Sequence, residues 1–384
     1  MPGTGRRRGP ERPGGNGRRA RRTRIGANAG KLAVSFSSPS TLIMTDVSPR
    51  LPNPIRCEID LDADGKQAGY LRLPHSVHRS AYGWLPVPIA SIRNGEGPVV
   101  LVMSGNHGDE YEGQVLSSRL MRELTPEAVR GQVIVLPMAN FPAAEAGMRT
   151  SPLDGGNLNR TFPGDPSGTP TQMIAHYIEH TLLARADYLV DLHSGGSSLI
   201  YDGGNLIALD PRDADEELRV KALLGAFGMP RAFLHAPNPT YASAAARRQG
   251  AISILTELGG AGMTDAKLLR QGWQGLLHFL GFIGVVHGPL VPDGPPAVTR
   301  FMRASGPQHF VYAYEHGVYE PLVELGEIVQ AGQPAARIHF PETPLREPVV
   351  HRFEACGEVV CRRVPAQTRR GDCLFQLAEP HDTL

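Results

Sequence analysis

Between residues 98 and 282 the chain alternates short, mostly apolar runs with stretches of helical period, and this alternation restricts the fold more than any other feature. Residues 98–103, 132–137, 188–192 and 251–256 read as strands without a polar face, and 232–235 as a further strand. A strand with no solvated face needs cover on both sides, the usual condition of a strand in a parallel sheet. The helical stretches 114–124, 171–184, 214–227, 241–249 and 265–282 supply that cover. The expected class is α/β, a mixed, mostly parallel sheet with helices on both faces. Upstream, 55–61 and 69–73 predict a hairpin around Asp62-Ala63-Asp64-Gly65. Residues 85–92 and 98–103 read as a second pair, joined by Arg93-Asn94-Gly95-Glu96-Gly97.

Gly and Pro crowd residues 285–296 (Gly288-Pro289, Gly294-Pro295-Pro296) and mark a boundary between a catalytic domain at 44–287 and a β domain at 296–384. Beyond it the runs 320–332, 354–363 and 371–375 are β-like, and they resemble the small all-β barrel-sandwich of biotinyl and lipoyl carriers. A carrier needs an acceptor lysine, but the lysines are Lys31, Lys66, Lys221 and Lys267, all upstream. Biotin and lipoate are therefore excluded, and a structural or gating role is left.

Charge divides the chain. Residues 1–43 hold nine Arg and Lys31 against Glu11, a net +9, while the other 341 residues hold 29 bases and 37 acids, a net −8. The tail is rich in Arg, Gly and Pro and too poor in apolar residues to fold, so disorder is expected there. The favoured reading is sequence translated ahead of a start at Met44. A net-acidic body lacks the basic face that phosphate contacts require, which argues against nucleic acid as a partner. No run reaches the ~18 apolar residues of a membrane span. Cys57, Cys356, Cys361 and Cys373 lack zinc-ribbon or Cys-x-x-Cys spacing and read as reduced thiols of a cytoplasmic protein.

Three strand ends carry candidate chemistry. The first is Ser104-Gly105-Asn106-His107-Gly108-Asp109-Glu110-Tyr111-Glu112-Gly113, where glycines permit a turn tight enough for His107 and Glu110 to converge on one ion. The second is Asp191-Leu192-His193-Ser194-Gly195-Gly196, a strand that stops at His193. Two His and one Glu form a set that leaves zinc an open position. The third is Thr256-Glu257-Leu258-Gly259-Gly260, with a carboxylate at its strand end. All three fall on one edge of the expected sheet. Between them lie Arg149 and the loop Asn157-Leu158-Asn159-Arg160-Thr161-Phe162-Pro163-Gly164, suited to capture of a carboxylate by a guanidinium fork. Taken singly, each has a plainer reading: a surface turn, a hydrogen-bonded strand-end His, a helix-capping Glu, a loop-ordering Arg.

The combination His107-x-x-Glu110, Asn159-Arg160 and His193 resembles the succinylglutamate desuccinylase and aspartoacylase family, relatives of the zinc carboxypeptidases, over residues 97–282. The stretches 105–113, 151–164, 191–198 and 256–260 most resemble the N-acetyl-diaminobutyrate deacetylases of ectoine breakdown, while 200–210 departs from that pattern. The resemblance implies one Zn²⁺ per chain held by His107, Glu110 and His193. It also implies Glu257 as general base then acid, Arg149 as oxyanion stabiliser, and Asn159 with Arg160 as the carboxylate clamp. The implied reaction is hydrolysis of a small anionic N-acyl amino acid. Where aspartoacylases read Asp-Leu-Asn-Arg this chain has Asn157, so the carboxylate behind a metal-binding His must come from elsewhere, Asp109 or Asp191. The rival readings are a carboxypeptidase, which a β domain over the mouth of the site disfavours, and an inactive metal-binding scaffold, for which Glu257 has no use. A homo-oligomer is compatible with all of them.

Overall fold

The computed structural model describes residues 52–209, 214–235, 238–304 and 306–381; the basic tail lies outside the described residues. In chain order the elements are β1 (Arg56–Cys57), β2 (Gly65–Pro74), β3 (Trp84–Asn94), β4 (Val99–Ser104), α1 (Tyr111–Glu123), β5 (Gly131–Leu136), α2 (Phe141–Ala146) and α3 (Pro170–Tyr177). There follow β6 (Tyr188–His193), β7 (Leu199–Tyr201), β8 (Asn205–Leu209), α4 (Ala214–Phe227), β9 (Arg231–His235), α5 (Ala242–Arg248), β10 (Ile252–Glu257) and α6 (Ala266–Phe282). The rest is β: β11 (Arg300–Arg303), β12 (Phe310–Tyr312), β13 (Gly317–Pro321), β14 (Ile328–Val329), β15 (Pro334–His339), β16 (Val349–Arg352), β17 (Gly357–Arg363), β18 (Gln367–Thr368) and β19 (Cys373–Pro380).

The central strands β5, β4, β6 and β10 are neighbours and run parallel. Their apolar continuity has the expected cause. Val100 and Val102 face a core shared with α1, α4 and α6, whereas Leu101 and Met103 face a second core shared with α3 and α5. Both faces are dry, so neither parity can be polar.

Two expectations of pairing need correction. β3 does not form a hairpin with β4: it pairs with β2 along its length and with β5 on its other side, both antiparallel. The fully buried β5 lies between β3 and β4, so parallel pairing at long range overrides the local Asn94-Gly95 turn signal. The stretch expected as one helix at 171–184 begins with a Thr169–Gln172 capping box but holds α-geometry only to Tyr177, passing then into a π turn, Ile178–Leu182. A third element was not anticipated: β8 inserts antiparallel to β10 and parallel to β9, in the segment that departs from the deacetylase pattern.

The sheet does not stop at the Gly-Pro boundary. β11 pairs with β9 in parallel and with β19 antiparallel, and β19, β17, β14, β12 and β7 continue from there. A four-stranded sheet, β16-β15-β13-β18, packs over this part through Tyr319, Ile338, Phe353 and Phe375. Buried Arg231 of β9 bridges the two regions, bonding to Glu358 of β17 and to the carboxylate and carbonyl of Asp202. Among the described residues no helix is long and apolar enough to cross a membrane, and the four cysteines are free.

Candidate active site

Because β4, β6 and β10 are parallel neighbours, the loops leaving their carboxyl ends meet at one edge. The β4–α1 loop turns at Gly108, where an added Cβ would lie 2.0 Å from the Ala143 backbone, so glycine alone lets this turn press onto α2. The turn brings His107 Nδ1 to 2.7 Å from Glu110 Oε1. His193, the last residue of β6, places its Nδ1 2.8 Å from Glu110 Oε2. All three side chains are buried, and one donor atom from each lies within 4.8 Å of the others.

The far nitrogens of both rings are held by oxygens. His107 Nε2 donates to Asn157 Oδ1 at 3.1 Å, and His193 Nε2 donates to Asp191 Oδ2 at 2.9 Å. In a neutral ring each bond leaves Nδ1 the lone pair that a metal ion beside Glu110 would use. The residue expected to be a deficiency, Asn157, thus orients His107 itself, with a neutral amide in place of a carboxylate. Asp191 serves His193, while Asp109 serves neither His. Its Oδ2 accepts from Ser197 N at 2.8 Å and Ser197 Oγ at 2.7 Å, tying the two ligand loops together.

The electrostatics favour a cation. Burial alone would raise the Glu110 carboxyl, yet His107 and His193 hold it well below the usual carboxylate range. Burial would lower His193, but Asp191 and Glu110 raise it well above the ordinary histidine value. Around them Asp109 Oδ1 and Asp191 Oδ1 are buried without a hydrogen-bond partner, and burial pushes the Glu112 carboxyl up to about 7. Such unpartnered acceptors beside a His–Glu–His set fit a site for a divalent ion. Asn157→Ala should lower metal affinity by about 10–100-fold, the usual cost of losing such an orienting bond. Chelator competition measures it, and unchanged affinity would show that Asn157 does not govern the ring.

Glu257 ends β10 in register with His193, so both project from the same sheet face. It is half-buried, with Oε2 enclosed and unpaired. Burial, then the charge of Glu110, push its carboxyl well above the usual range. Arg149 follows α2 through Gly147, whose left-handed φ of 61° ends the helix, and its Nη1 donates to Glu110 Oε1 at 3.3 Å. Asn159 and Arg160 sit in the short helical turn Leu158–Arg160. Asn159 Oδ1 accepts from Ala242 N at 2.9 Å, so only its amide nitrogen faces outward to a ligand. Arg160 stacks 4.4 Å over the Tyr241 ring and donates to the Asn159 carbonyl.

These seven residues line one cavity of about 310 Å³. Sequence reasoning missed other residues of its wall: Tyr201 of β7, Tyr241 and Ser243 at the start of α5, and Phe310 and Gln376 of the C-terminal strands. The aromatic at the head of α5 was a usable signal for Tyr241. Phe310 and Gln376 carried none, because strand pairing far along the chain delivers them.

Residues 96–283 match the model of the succinylglutamate desuccinylase/aspartoacylase catalytic domain. The chain is 41% identical to the N-alpha-acetyl-L-2,4-diaminobutyric acid deacetylase of Halomonas elongata over 337 residues, 87% of this chain and 97% of that one. It superposes with a TM-score of 0.80 on the succinylglutamate desuccinylase/aspartoacylase of Rhodobacter sphaeroides, at 38% identity over 85% of this chain and 99% of the other. The same score relates it to the product-bound ectoine utilization protein EutE (DoeB) of Ruegeria pomeroyi, at 36% identity and the same coverage.

Proposed function

The chain belongs to the succinylglutamate desuccinylase/aspartoacylase family and is a hydrolase, and on that premise we propose that it cleaves the amide bond of a small N-acyl amino acid. An N-acetylated diamino acid such as N-acetyl-diaminobutyrate is the reading its relatives favour. One observation carries it: a His–Glu–His metal set, a carboxylate in register with one of the His, and a stacked arginine all line a single small cavity.

His107, Glu110 and His193 would hold the ion, which we take as one Zn²⁺ per chain. When bound, it supplies a Lewis acid for the amide carbonyl and a lower pKa for water. The chain's own groups do the rest. Arg160 clamps the substrate carboxylate, and its stacking on Tyr241 fixes the plane of the guanidinium fork. Asn159 Nδ2 adds a donor beside it. Glu257 removes a proton from the attacking water and returns it to the leaving nitrogen. Arg149, free to swing because its side chain is 44% exposed, donates to the developing oxyanion. The products are a free amino acid and a short carboxylate. The cytoplasm, where reduced thiols persist, is the compartment that fits the four free cysteines.

The test is a panel of N-acetyl, N-formyl and N-succinyl amino acids and short peptides with zinc-loaded protein. Release of amino acid from the acyl amino acids, and not from the peptides, is expected; the reverse pattern would make the chain a peptidase. In the same assay Arg160→Ala should raise KM by about 10–100-fold with kcat little changed, the loss of one charge-assisted clamp. A fall in kcat alone would remove Arg160 from substrate binding.

A further inference from the structure

Asn159 and Arg160 both rest on the start of α5. Ala242, its first residue, donates its N–H to Asn159 at 2.9 Å, and the preceding Tyr241 carries the ring beneath the Arg160 guanidinium. A helix of seven residues has little rigidity of its own, so its neighbours must fix it. The turn that leads into it is Asn238–Tyr241. Asn238 Oδ1 accepts from Thr240 N at 3.1 Å and from Thr240 Oγ1 at 2.8 Å, and the Asn238 carbonyl accepts from Tyr241 N at 3.1 Å. The Pro239 carbonyl of this turn accepts from Nη1 of Arg248, the last residue of α5, at 2.7 Å. A helical side chain leans toward the N-terminus, which gives Arg248 this reach. Its other two nitrogens hold a carboxylate: Nε donates to Glu179 Oε1 at 2.8 Å and Nη2 to Oε2 at 2.7 Å. Glu179 lies in the π turn Ile178–Leu182 and is 2% exposed. A carboxylate so buried is costly unless paired, and π turns are frequent near functional sites. Yet Glu179, Pro239 and Arg248 are not among the residues that line the cavity.

We infer that Glu179 and Arg248 are positioning residues for substrate binding: their ion pair pins the Asn238–Tyr241 turn, and through Tyr241 and Ala242 it holds Arg160 and Asn159 in the geometry that receives the substrate carboxylate. The inference rests on the clamp assigned to Arg160 above. Glu179 fixes the Arg248 guanidinium along one edge and leaves its remaining nitrogen aimed at the Pro239 carbonyl. A lysine ammonium cannot hold both carboxylate oxygens and the carbonyl in one plane. Once the turn relaxes, the Tyr241 ring tilts, and the fork stacked on it loses the orientation that bidentate binding needs. Ground state and transition state then lose the same contact, so KM rises while kcat is kept. An ion pair that served only stability would act differently. It would reduce the folded fraction and lower apparent kcat without moving KM, to the same degree whichever residue stood at position 160.

The experiment is a double-mutant cycle on the zinc-loaded enzyme, joining Arg248→Ala to Arg160→Ala and using the best substrate of the N-acyl amino acid panel. Arg248→Ala alone should raise KM about tenfold with kcat within about twofold of wild type. In the Arg160→Ala background the same change should move KM by less than about twofold, because residues acting through one contact are not additive. Arg248→Lys, which keeps a charge beside Glu179 and loses the fork, should fall between wild type and the alanine variant. It carries the cycle if circular dichroism shows the alanine variant unfolded. No rise in KM, an equal rise in both backgrounds, or a fall in kcat alone would overturn the inference and leave the clamp standing. An unchanged KM in Arg160→Ala would overturn the clamp and the inference with it, and a wild type that cleaves no N-acyl amino acid would overturn the proposed function as well.

Discussion

Glu257→Gln will leave the metal site intact and lower turnover by about 10²–10⁴-fold, the usual worth of a general base. The side chain is not a ligand of the His–Glu–His set, yet it shares a strand register with His193 and has an enclosed, unpaired oxygen. Gln preserves the shape and removes only the basicity. Loss of activity could not be blamed on unfolding. The folded state raises the Glu257 carboxyl, chiefly through burial, so its protonated form stabilises the fold. That stabilisation is present below the ordinary carboxylate range and fades as pH rises through the raised value. In metal-free protein at neutral pH the neutral Gln should be at least as stable as Glu. Elemental analysis beside steady-state kinetics decides it, and near-normal kcat with full metal would take Glu257 out of the mechanism.

His193→Ala will abolish both metal binding and activity, and it will cost more stability than His107→Ala. His193 is the shared partner of two buried carboxylates, Glu110 at 2.8 Å and Asp191 at 2.9 Å, whereas His107 meets one carboxylate and a neutral amide. Removing the ring leaves both anions less compensated in a site where the side chains are only 3–4% exposed. Breaking a buried charge pair costs about 3–5 kcal/mol. Urea denaturation of the two metal-free variants gives the comparison. Full metal occupancy in either would contradict the ligand set, and equal stabilities would contradict the account of how Asp191 and Glu110 are held.

Much of this was legible in the chain because it is local. Residues 99–104 and 188–193 could be read as buried parallel strands, since strands dry on both faces cannot hide their composition. Once those strands are parallel neighbours, His107, Glu110, His193 and Glu257 fall on the same edge by geometry alone. Pairing at long range was not legible. The Asn94-Gly95 turn pointed to a hairpin, and only the competition of β5 for the edge of β4 cancels it. β8 could not be foreseen, because one short strand can join a sheet in either direction.

The sequence by itself determined the class of fold, the chemical types gathered at the strand ends, and the family to which those types belong. The first two follow from periodicity and local spacing, and the family from the resemblance of the motifs those residues form. The tertiary structure alone decided which oxygen orients which histidine, that Asn157 does so without a charge, and that Phe310 and Gln376 wall the cavity. Apart from Asp191 and His193, neighbours on β6, those contacts join residues 50 or more positions apart. Packing of the whole sheet sets their distances, and no local pattern along the chain encodes them.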